Sequence, residues 1–232
     1  MPLYIVATPI GNLADITLRA LETLRNVDVV AAEDTRQTLK LLNAHGIVKR
    51  LISCRSANEA QSAQGILKLL DEGRSVAYCT DAGTPGLSDP GSVLVKTIRD
   101  AGHQVIPLPG ASALATLLSV AGFGGRSLTF DGFMSPKPGR RRRRLTELVE
   151  RGEAFMVYES PFRILKLLTD LSEIAPDRPL IVGREMTKAH EEFLSGLPAS
   201  VLQTLAERPI VKGEFAVLVS SVQSIEDFDE HE

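Results

Sequence analysis

Short apolar runs alternate along this chain with segments whose apolar residues recur at helical spacing. The runs LYIVA, DVVAA, RLISC, SVAYC and QVIPLP have the length of buried strands. Amphipathic segments such as DITLRALETLRNV (15–27) stand between them. This alternation predicts βαβ units and a mostly parallel sheet. It constrains the fold more than any other feature, because parallel strands bring their carboxyl ends to one edge.

The regular alternation of predicted strands and helices ends at the glycine-rich stretch GFGG (122–125). Beyond it, the strand candidates are SLTFDGF, AFMVYE, PLIVGRE, EEFLSG and EFAVLVSS. A short connection leads into EEFLSG, which favours antiparallel pairing. We therefore expect an N-terminal α/β domain that carries the ligand-binding loops over residues 1–122, and a C-terminal α+β domain with a mixed sheet over residues 123–232. A chain of 232 residues is long enough to bury a core in each.

Composition excludes several classes of protein. No apolar segment approaches the roughly 20 residues that span a bilayer, and MPLYIVATPIGN lacks the features of a signal peptide. We therefore expect a cytoplasmic protein that makes no membrane contact. Two cysteines, Cys54 and Cys79, are too few for a zinc site, and the four histidines fall in no ligand spacing. We expect no bound metal.

Polar and glycine-rich motifs follow four of the predicted strands. They are ATPIGN (7–12), AAEDTR (31–36), CTDAGTPGLSDPG (79–91) and PLPGASA (107–113). Glycine lets backbone amides approach a ligand closely, and open α/β sheets bind ligands at the carboxyl ends of their strands. Each motif alone is also consistent with a tight turn or a helix N-cap. Together they predict a cleft for a polar, partly cationic small molecule.

The sequence lacks the common nucleotide-binding motifs. No GxGxxG follows a strand and no GxxxxGK[ST] occurs, which disfavours a Rossmann dinucleotide site and a P-loop. The sequence also lacks the GxSxG of an α/β-hydrolase nucleophile. These motifs therefore leave the ligand of the predicted cleft open.

Two charged features lie in the second half of the chain. Five consecutive arginines, Arg140 to Arg144, suit the phosphates of an RNA backbone, although runs of like charge are also often solvated and mobile. Glu185 and Lys188 share one face if their stretch is helical, and the alternative for them is an exposed salt bridge. The net charge of −3 gives no global attraction to nucleic acid, so any RNA contact must be local.

Seven motifs occur in the order and at the separations found in one known family. They are LYIVATPIGNLADITLRALETL, AAEDTR, DAGTPGLSDPG, PLPGASAL, YESPFR, REMTK and KGEF. On these motifs the chain resembles the ribosomal RNA small subunit methyltransferase I family, within the tetrapyrrole methylase superfamily. The resemblance runs from Leu3 to about Val219, and the combination of TPIGN, AEDTR and DAGTP is highly specific.

The resemblance implies a two-domain α/β fold of the tetrapyrrole methylase, or class III methyltransferase, type. It also implies a homodimer that binds S-adenosylmethionine between its domains and methylates the ribose 2′-hydroxyl of a cytidine in the decoding region of 16S rRNA. By motif, the loops of the first domain would hold the cofactor with Asp81, Ala82, Gly83, Thr84, Leu87, Ser112 and Ala113. The second domain would contribute Tyr158, Arg184, Gly213, Glu214 and Phe215.

Methyl transfer to a hydroxyl is an in-line displacement that benefits from a base. The candidates are Asp34, Glu185 and Lys188, the last only if desolvation lowers its pKa. Arg36 would instead orient a phosphate of the target. Two alternatives stay open: a tetrapyrrole methyltransferase acting on a precorrin or uroporphyrinogen, and a non-catalytic RNA-binding protein.

Overall fold

A computed structural model of the chain describes residues 1–123 and 127–221. It divides into two compact units, Met1–Ser112 and the part that begins at Ala113. The first unit therefore ends earlier than the boundary expected from the sequence after residue 122. Part of the GFGG stretch on which that expectation was based, together with Arg126, lies outside the described residues.

The first unit is built on a parallel sheet, as the alternating pattern predicted. Its strand order is β3-β2-β4-β1-β5, and every neighbouring pair is parallel. The strands are β1 (Leu3–Val6), β2 (Val29–Ala32), β3 (Arg50–Ser53), β4 (Val76–Cys79) and β5 (Val105–Leu108). The helices are α1 (Leu18–Asn26), α2 (Thr35–Ala44), α3 (Glu59–Asp71) and α4 (Ser92–Asp100).

Local signals in the sequence set the helix ends of the first unit. The Thr17 hydroxyl accepts the N–H of Ala20 at 3.1 Å and so caps α1. Gly46, just after α2, has a φ of +64°, which suits a glycine at the end of a helix. Strands β2 and β4 are buried throughout, as expected for central strands covered on both faces.

The second unit contains the mixed sheet that the sequence predicted. Its order is β6-β7-β10-β8-β9, in which β6 and β7 are parallel and the other pairs are antiparallel. The strands are β6 (Leu128–Phe133), β7 (Ala154–Glu159), β8 (Leu180–Arg184), β9 (Glu192–Gly196) and β10 (Phe215–Val219). The helices are α5 (Ala113–Val120), α6 (Pro138–Glu150), α7 (Ile164–Ile174) and α8 (Pro198–Ala206).

Helix α5 explains why the first unit ends before residue 122. Its buried Leu117 lies directly over β8, since a Cβ built on Gly183 would stand only 2.9 Å from Leu117 Cδ1. The sequence pattern places α5 after β5 as another step of the βα alternation. Its packing partner is decided by contacts distant in sequence, and these join it to the second unit.

A buried arginine ties together one edge of the second sheet. The Arg178 guanidinium donates to the carbonyls of Val149, Glu153 and Ser220, at the ends of segments that enter or leave the sheet. Burial lowers the pKa of Arg178.

Within the described part of the chain, no helix is long and apolar enough to cross a membrane.

Candidate functional site

The carboxyl ends of the parallel strands carry the motifs singled out in the sequence. The loops after β1, β2, β4 and β5 contain TPIGN, EDTR, DAGTPGLSDPG and PGAS, so all four lie at one edge of the first sheet. This is the arrangement expected from the alternating pattern.

Gly83 joins the loops after β1 and β4. Its backbone exchanges two hydrogen bonds with Thr8, at 2.9 and 3.0 Å. Its φ of +82° lies in the left-handed region, and an added Cβ would meet Ile10 Cγ2 at 3.4 Å. A side chain here would be strained, so the position calls for glycine.

The loop after β5 packs against the same pair of loops. A Cβ on Gly110 would stand 3.0 Å from the Cβ of Ala7, and the Thr84 hydroxyl donates to the Ala111 carbonyl at 3.2 Å. Ser112 follows directly as the last residue of the first unit. The three loops therefore form one continuous backbone surface around Gly83.

Carboxylates connect the loop after β2 to the loop after β4. The Asp81 N–H donates to Glu33 Oε2 at 3.3 Å, and the Asp34 N–H donates to Asp81 Oδ1 at 3.0 Å. Burial raises the pKa of Glu33, and the charges of Asp81 and Asp34 add to that effect. Asp89, in the same motif as Asp81, is half-buried, and its pKa is raised to about 6 by burial and then by Glu33 and Asp81.

Asp34 and Arg36 form an exposed pair at the start of α2. Asp34 caps the helix by accepting the Arg36 N–H at 2.9 Å, and its carboxylate binds the Arg36 guanidinium at 2.5 Å. The hydrogen bonds from Arg36 hold the pKa of Asp34 well below its usual range. Asp34 is therefore ionised at neutral pH and has little affinity for a proton.

The residues predicted in the second unit also converge on one edge of its sheet. Because β10 is antiparallel to β7 and β8, the start of β10 lies beside the ends of both strands. Phe215 stands opposite Glu159 and Arg184, and Tyr158 is one residue away on β7. Arg184 Nε donates to the Lys212 carbonyl at 2.6 Å, which holds the KGEF segment against β8.

Glu185, Lys188 and Glu214 form an ion-pair cluster at this edge. Lys188 Nζ lies 3.0 Å from Glu185 Oε1 and 2.8 Å from Glu214 Oε2. The stretch is a turn and not a helix, with Glu185 at a φ of +49°. A Cβ on Gly213 would come within 2.6 Å of Glu185 Cγ, so glycine makes room for the cluster.

The carboxylates of this cluster determine the protonation state of Lys188. Burial disfavours its charged form, but the hydrogen bonds to Glu214 and Glu185 outweigh burial and raise its pKa. Burial likewise opposes the ionised form of Glu185, but the Glu214 N–H and Lys188 outweigh it and lower its pKa. The lowered pKa that a base role for Lys188 requires is therefore not observed, and Lys188 is a cation at neutral pH.

The family model for tetrapyrrole (corrin/porphyrin) methylases matches residues 2–201. A protein from Borrelia garinii called ribosomal RNA small subunit methyltransferase I is 46% identical over 96% of this chain and 100% of its own length. A Thermotoga maritima protein of the same name is 44% identical over 94% of this chain and 97% of its own. The chain belongs to the ribosomal RNA small subunit methyltransferase I family.

Solved structures place this chain in the tetrapyrrole methylase fold. A cobalt precorrin-4 methyltransferase covers 94% of the chain with a TM-score of 0.69 at 16% identity, and 94% of that structure is matched. A uroporphyrin-III-C-methyltransferase from Thermus thermophilus covers 95% with a TM-score of 0.65 at 20% identity, and again 94% of it is matched. The predicted fold class is confirmed.

The arginine run of this chain does not form a single surface. Arg141 is only 3% exposed, and its Nε donates to Asp170 Oδ2 at 2.6 Å. Arg142 donates to the other oxygen of Asp170 at 2.9 Å. Arg144 binds Asp131 at 2.6 Å. Three of the five arginines thus join α6 to its neighbours within the second unit.

Arg140 and Arg143 are the members of the run that face solvent. Both are exposed, and Arg143 makes only a long ion pair, 3.7 Å, with Glu147 on its own helix. The sequence could not separate these two sets, because helical spacing alone does not say which residues find a carboxylate on another element.

Sequence reasoning missed the buried carboxylate of Glu59. One of its oxygens accepts the N–H groups of Gly91 and Leu94, at 2.9 and 3.0 Å. These bonds tie the end of the DAGTPGLSDPG loop and the first turn of α4 to the start of α3. No local pattern marks Glu59 for this role, since its partners lie more than thirty residues away.

Cysteine and metal chemistry find little support in the described residues. Burial raises the pKa of Cys54 to about 11 and that of Cys79 to about 12, so both thiols stay protonated at neutral pH. Across residues 1–123 and 127–221, no group of three His, Cys, Asp or Glu side chains is arranged to hold a metal ion.

Proposed function

We propose that this protein transfers a methyl group from S-adenosylmethionine to the ribose 2′-hydroxyl of a cytidine in the decoding region of 16S rRNA. The full-length match to relatives named as small-subunit rRNA methyltransferases carries the proposal. The convergence of the family motifs at one edge of each sheet supports it, because these edges are where such folds hold ligands.

The residues of the first unit fit S-adenosylmethionine. Its carboxylate, ammonium and ribose hydroxyls need backbone donors and acceptors, which the close loops around Gly83 and Gly110 offer. The proposed binding residues of the first unit are Asp81, Ala82, Gly83, Thr84, Leu87 and Ser112. Those of the second unit are Ala113, Tyr158, Arg184, Gly213, Glu214 and Phe215.

The cofactor supplies an electrophilic methyl group, so this chain's own residues have to orient the hydroxyl and manage its proton. Ionised Asp34 and Glu185 are weak bases, because their pKa values are lowered. Arg36 and Lys188 are cations suited to holding a phosphate of the target. We therefore propose that these four residues act mainly by positioning and charge, and that correct alignment supplies most of the rate.

The partners follow from the proposed reaction. The substrate is the 16S rRNA of the 30S subunit, so we place the protein in the cytoplasm. We also propose a homodimer, as the family resemblance implies, because two copies present more surface to a structured RNA.

Methyl mapping tests the proposed function. The protein is incubated with labelled S-adenosylmethionine and with 30S subunits from a strain that lacks the modification, and the label is located by nuclease digestion. We expect label on one cytidine ribose 2′-oxygen. Label on a base, label only on an added porphyrinogen, or RNA binding without any transfer would each contradict the proposal.

Alanine variants test the four positioning residues. We expect Asp34→Ala, Arg36→Ala, Glu185→Ala and Lys188→Ala to lower the single-turnover rate of methyl transfer by roughly tenfold or more each. Calorimetry should show nearly unchanged affinity for S-adenosylmethionine. Full activity in all four variants would refute the assignment.

A further inference from the structure

Two large aromatic side chains are exposed on neighbouring segments of the second unit. Phe133, the last residue of β6, is 58% exposed, and Phe162, in the turn after β7, is 87% exposed. Tyr158 lies beside Phe133, with their ring centroids 5.7 Å apart in an edge arrangement. We call Phe133, Tyr158 and Phe162 the aromatic platform.

The backbone brings the two segments that carry the exposed rings to one edge of the sheet. Phe133 stands opposite Tyr158 in the parallel pairing of β6 and β7, so both strands end together. The turn that carries Phe162 is fixed by Arg163, which donates to the Met134 carbonyl at 3.3 Å. Phe162 buries little of its ring on folding and Phe133 only part of its own, which indicates a surface that binds something.

Cations lie on the segments that follow the two strands of the aromatic platform. Lys137 precedes α6 as its N-cap, Arg140 lies in the first turn of α6 after β6, and Lys166 lies in the first turn of α7 after β7. All three are exposed. Within residues 1–123 and 127–221, none of the three side chains is paired with a carboxylate, unlike Arg141, Arg142 and Arg144 of the same region.

The platform also lies at the edge of the sheet that carries the proposed cofactor residues. Tyr158 is a member of both sets, and Glu159, the next residue, pairs with Phe215 at the start of β10. A nucleotide stacked on the platform would therefore be held close to the residues proposed to bind the methyl donor.

The geometry points to the aromatic platform as a stacking surface for unpaired bases of the RNA beside the target nucleotide, with Lys137, Arg140 and Lys166 holding the flanking phosphates. Bases stack on aromatic rings while cations follow the backbone, the usual combination in proteins that bind single-stranded RNA. This inference rests on the proposed function and adds which residues bind the RNA beside the target nucleotide.

Charge favours RNA over a second copy of this chain as the occupant. A two-fold symmetric contact brings each surface against itself, so the same unpaired cations would face each other and repel. An RNA strand instead supplies one negative charge for each nucleotide. The platform therefore suits RNA in both its apolar and its charged parts.

The test uses the variants Phe133→Ala, Phe162→Ala and Phe162→Trp in the full chain, with Val48→Ala as control. Val48 is 93% exposed and lies two residues before β3, an edge strand of the first sheet. Single-turnover methylation is measured against the concentration of unmodified 30S subunits, and calorimetry gives the affinity for S-adenosylmethionine. Light scattering gives the oligomeric state, and anisotropy gives binding to a labelled single-stranded oligoribonucleotide.

We expect each alanine variant to raise the half-saturating 30S concentration about tenfold, the size found when a stacking side chain is truncated. Affinity for S-adenosylmethionine and oligomeric state should not change, and Phe162→Trp and Val48→Ala should behave like wild type. Alanine variants that saturate like wild type would overturn the inference. So would a change from dimer to monomer, which would assign the platform to self-association.

The oligoribonucleotide separates this inference from the proposed function. If wild type transfers no methyl group to the 30S subunit, the proposed function fails. Loss of oligoribonucleotide binding in the alanine variants, with the control intact, would still support the platform. Unchanged binding would overturn it independently of any activity.

Discussion

At the scale of single residues, the arginine run divides into members that pair inside the second unit and members that face solvent. Arg141 and Asp170 are both buried, so Arg141→Ala leaves Asp170 Oδ2 without its partner inside the second unit, while Arg142 still binds Oδ1. We expect a loss of about 2–3 kcal/mol in the free energy of unfolding, because the buried charge keeps one of its two cations. The matched change Arg143→Ala, at a position that is 79% exposed, should alter the free energy of unfolding by less than about 0.5 kcal/mol. Urea denaturation measures both, and equal losses would contradict the division of the run.

Asp89 makes stability depend on pH. Its folded pKa of about 6 lies above the ordinary value of 3.8 because of burial and then the charges of Glu33 and Asp81. The folded protein thus keeps this proton longer than the unfolded chain, so the contribution to stability is present below about pH 4 and is lost as pH rises through about 6.

The variant Asp89→Asn removes this dependence. We expect the free energy of unfolding of the variant to equal that of wild type at pH 4. At pH 7.5 it should exceed the wild-type value by roughly 2–3 kcal/mol, following the size of the pKa shift. Denaturation at the two pH values measures the difference. Equal stability of the two proteins at pH 7.5 would show that Asp89 titrates normally.

At the scale of elements, the contact between α5 and β8 depends on a missing side chain. A Cβ on Gly183 would stand 2.7 Å from Met186 Sδ and 2.9 Å from Leu117 Cδ1. We expect Gly183→Ala to destabilise the protein by about 1–3 kcal/mol, because the core must shift to accept it. Gly65→Ala, in α3 with nothing within 4 Å, should instead stabilise by about 0.5–1 kcal/mol. Thermal unfolding compares the two, and a stable Gly183→Ala would contradict the tight contact.

The elements themselves were largely predictable, because apolar periodicity is a local signal. All five strands of each sheet coincide with apolar runs read from the sequence, and parallel pairing then brought the motifs to one edge without further information. The packing of α5 on the second sheet was not predictable, since it depends on Gly183, far away in the chain. The same limit applies to the site, where the raised pKa of Lys188 comes from Glu214 and the loop support comes from Glu59.

At the scale of the whole molecule, the proposed homodimer sets the particle mass. Light scattering at micromolar concentration should give twice the chain mass of 25.1 kDa. A particle of the single-chain mass would contradict the dimer, while leaving the cofactor loops of the first unit intact.

The position of β10 has a consequence for synthesis on the ribosome. Among the described residues this strand is the last in chain order, yet it lies between β7 and β8 in the middle of its sheet. The first unit has all its strands by residue 108 and is able to fold while translation continues. The second sheet stays split into two halves until residues 215–219 have left the exit tunnel. A nascent chain therefore completes the sheet of the first unit early, and the edge of the second sheet that carries Tyr158, Arg184 and Phe215 forms last.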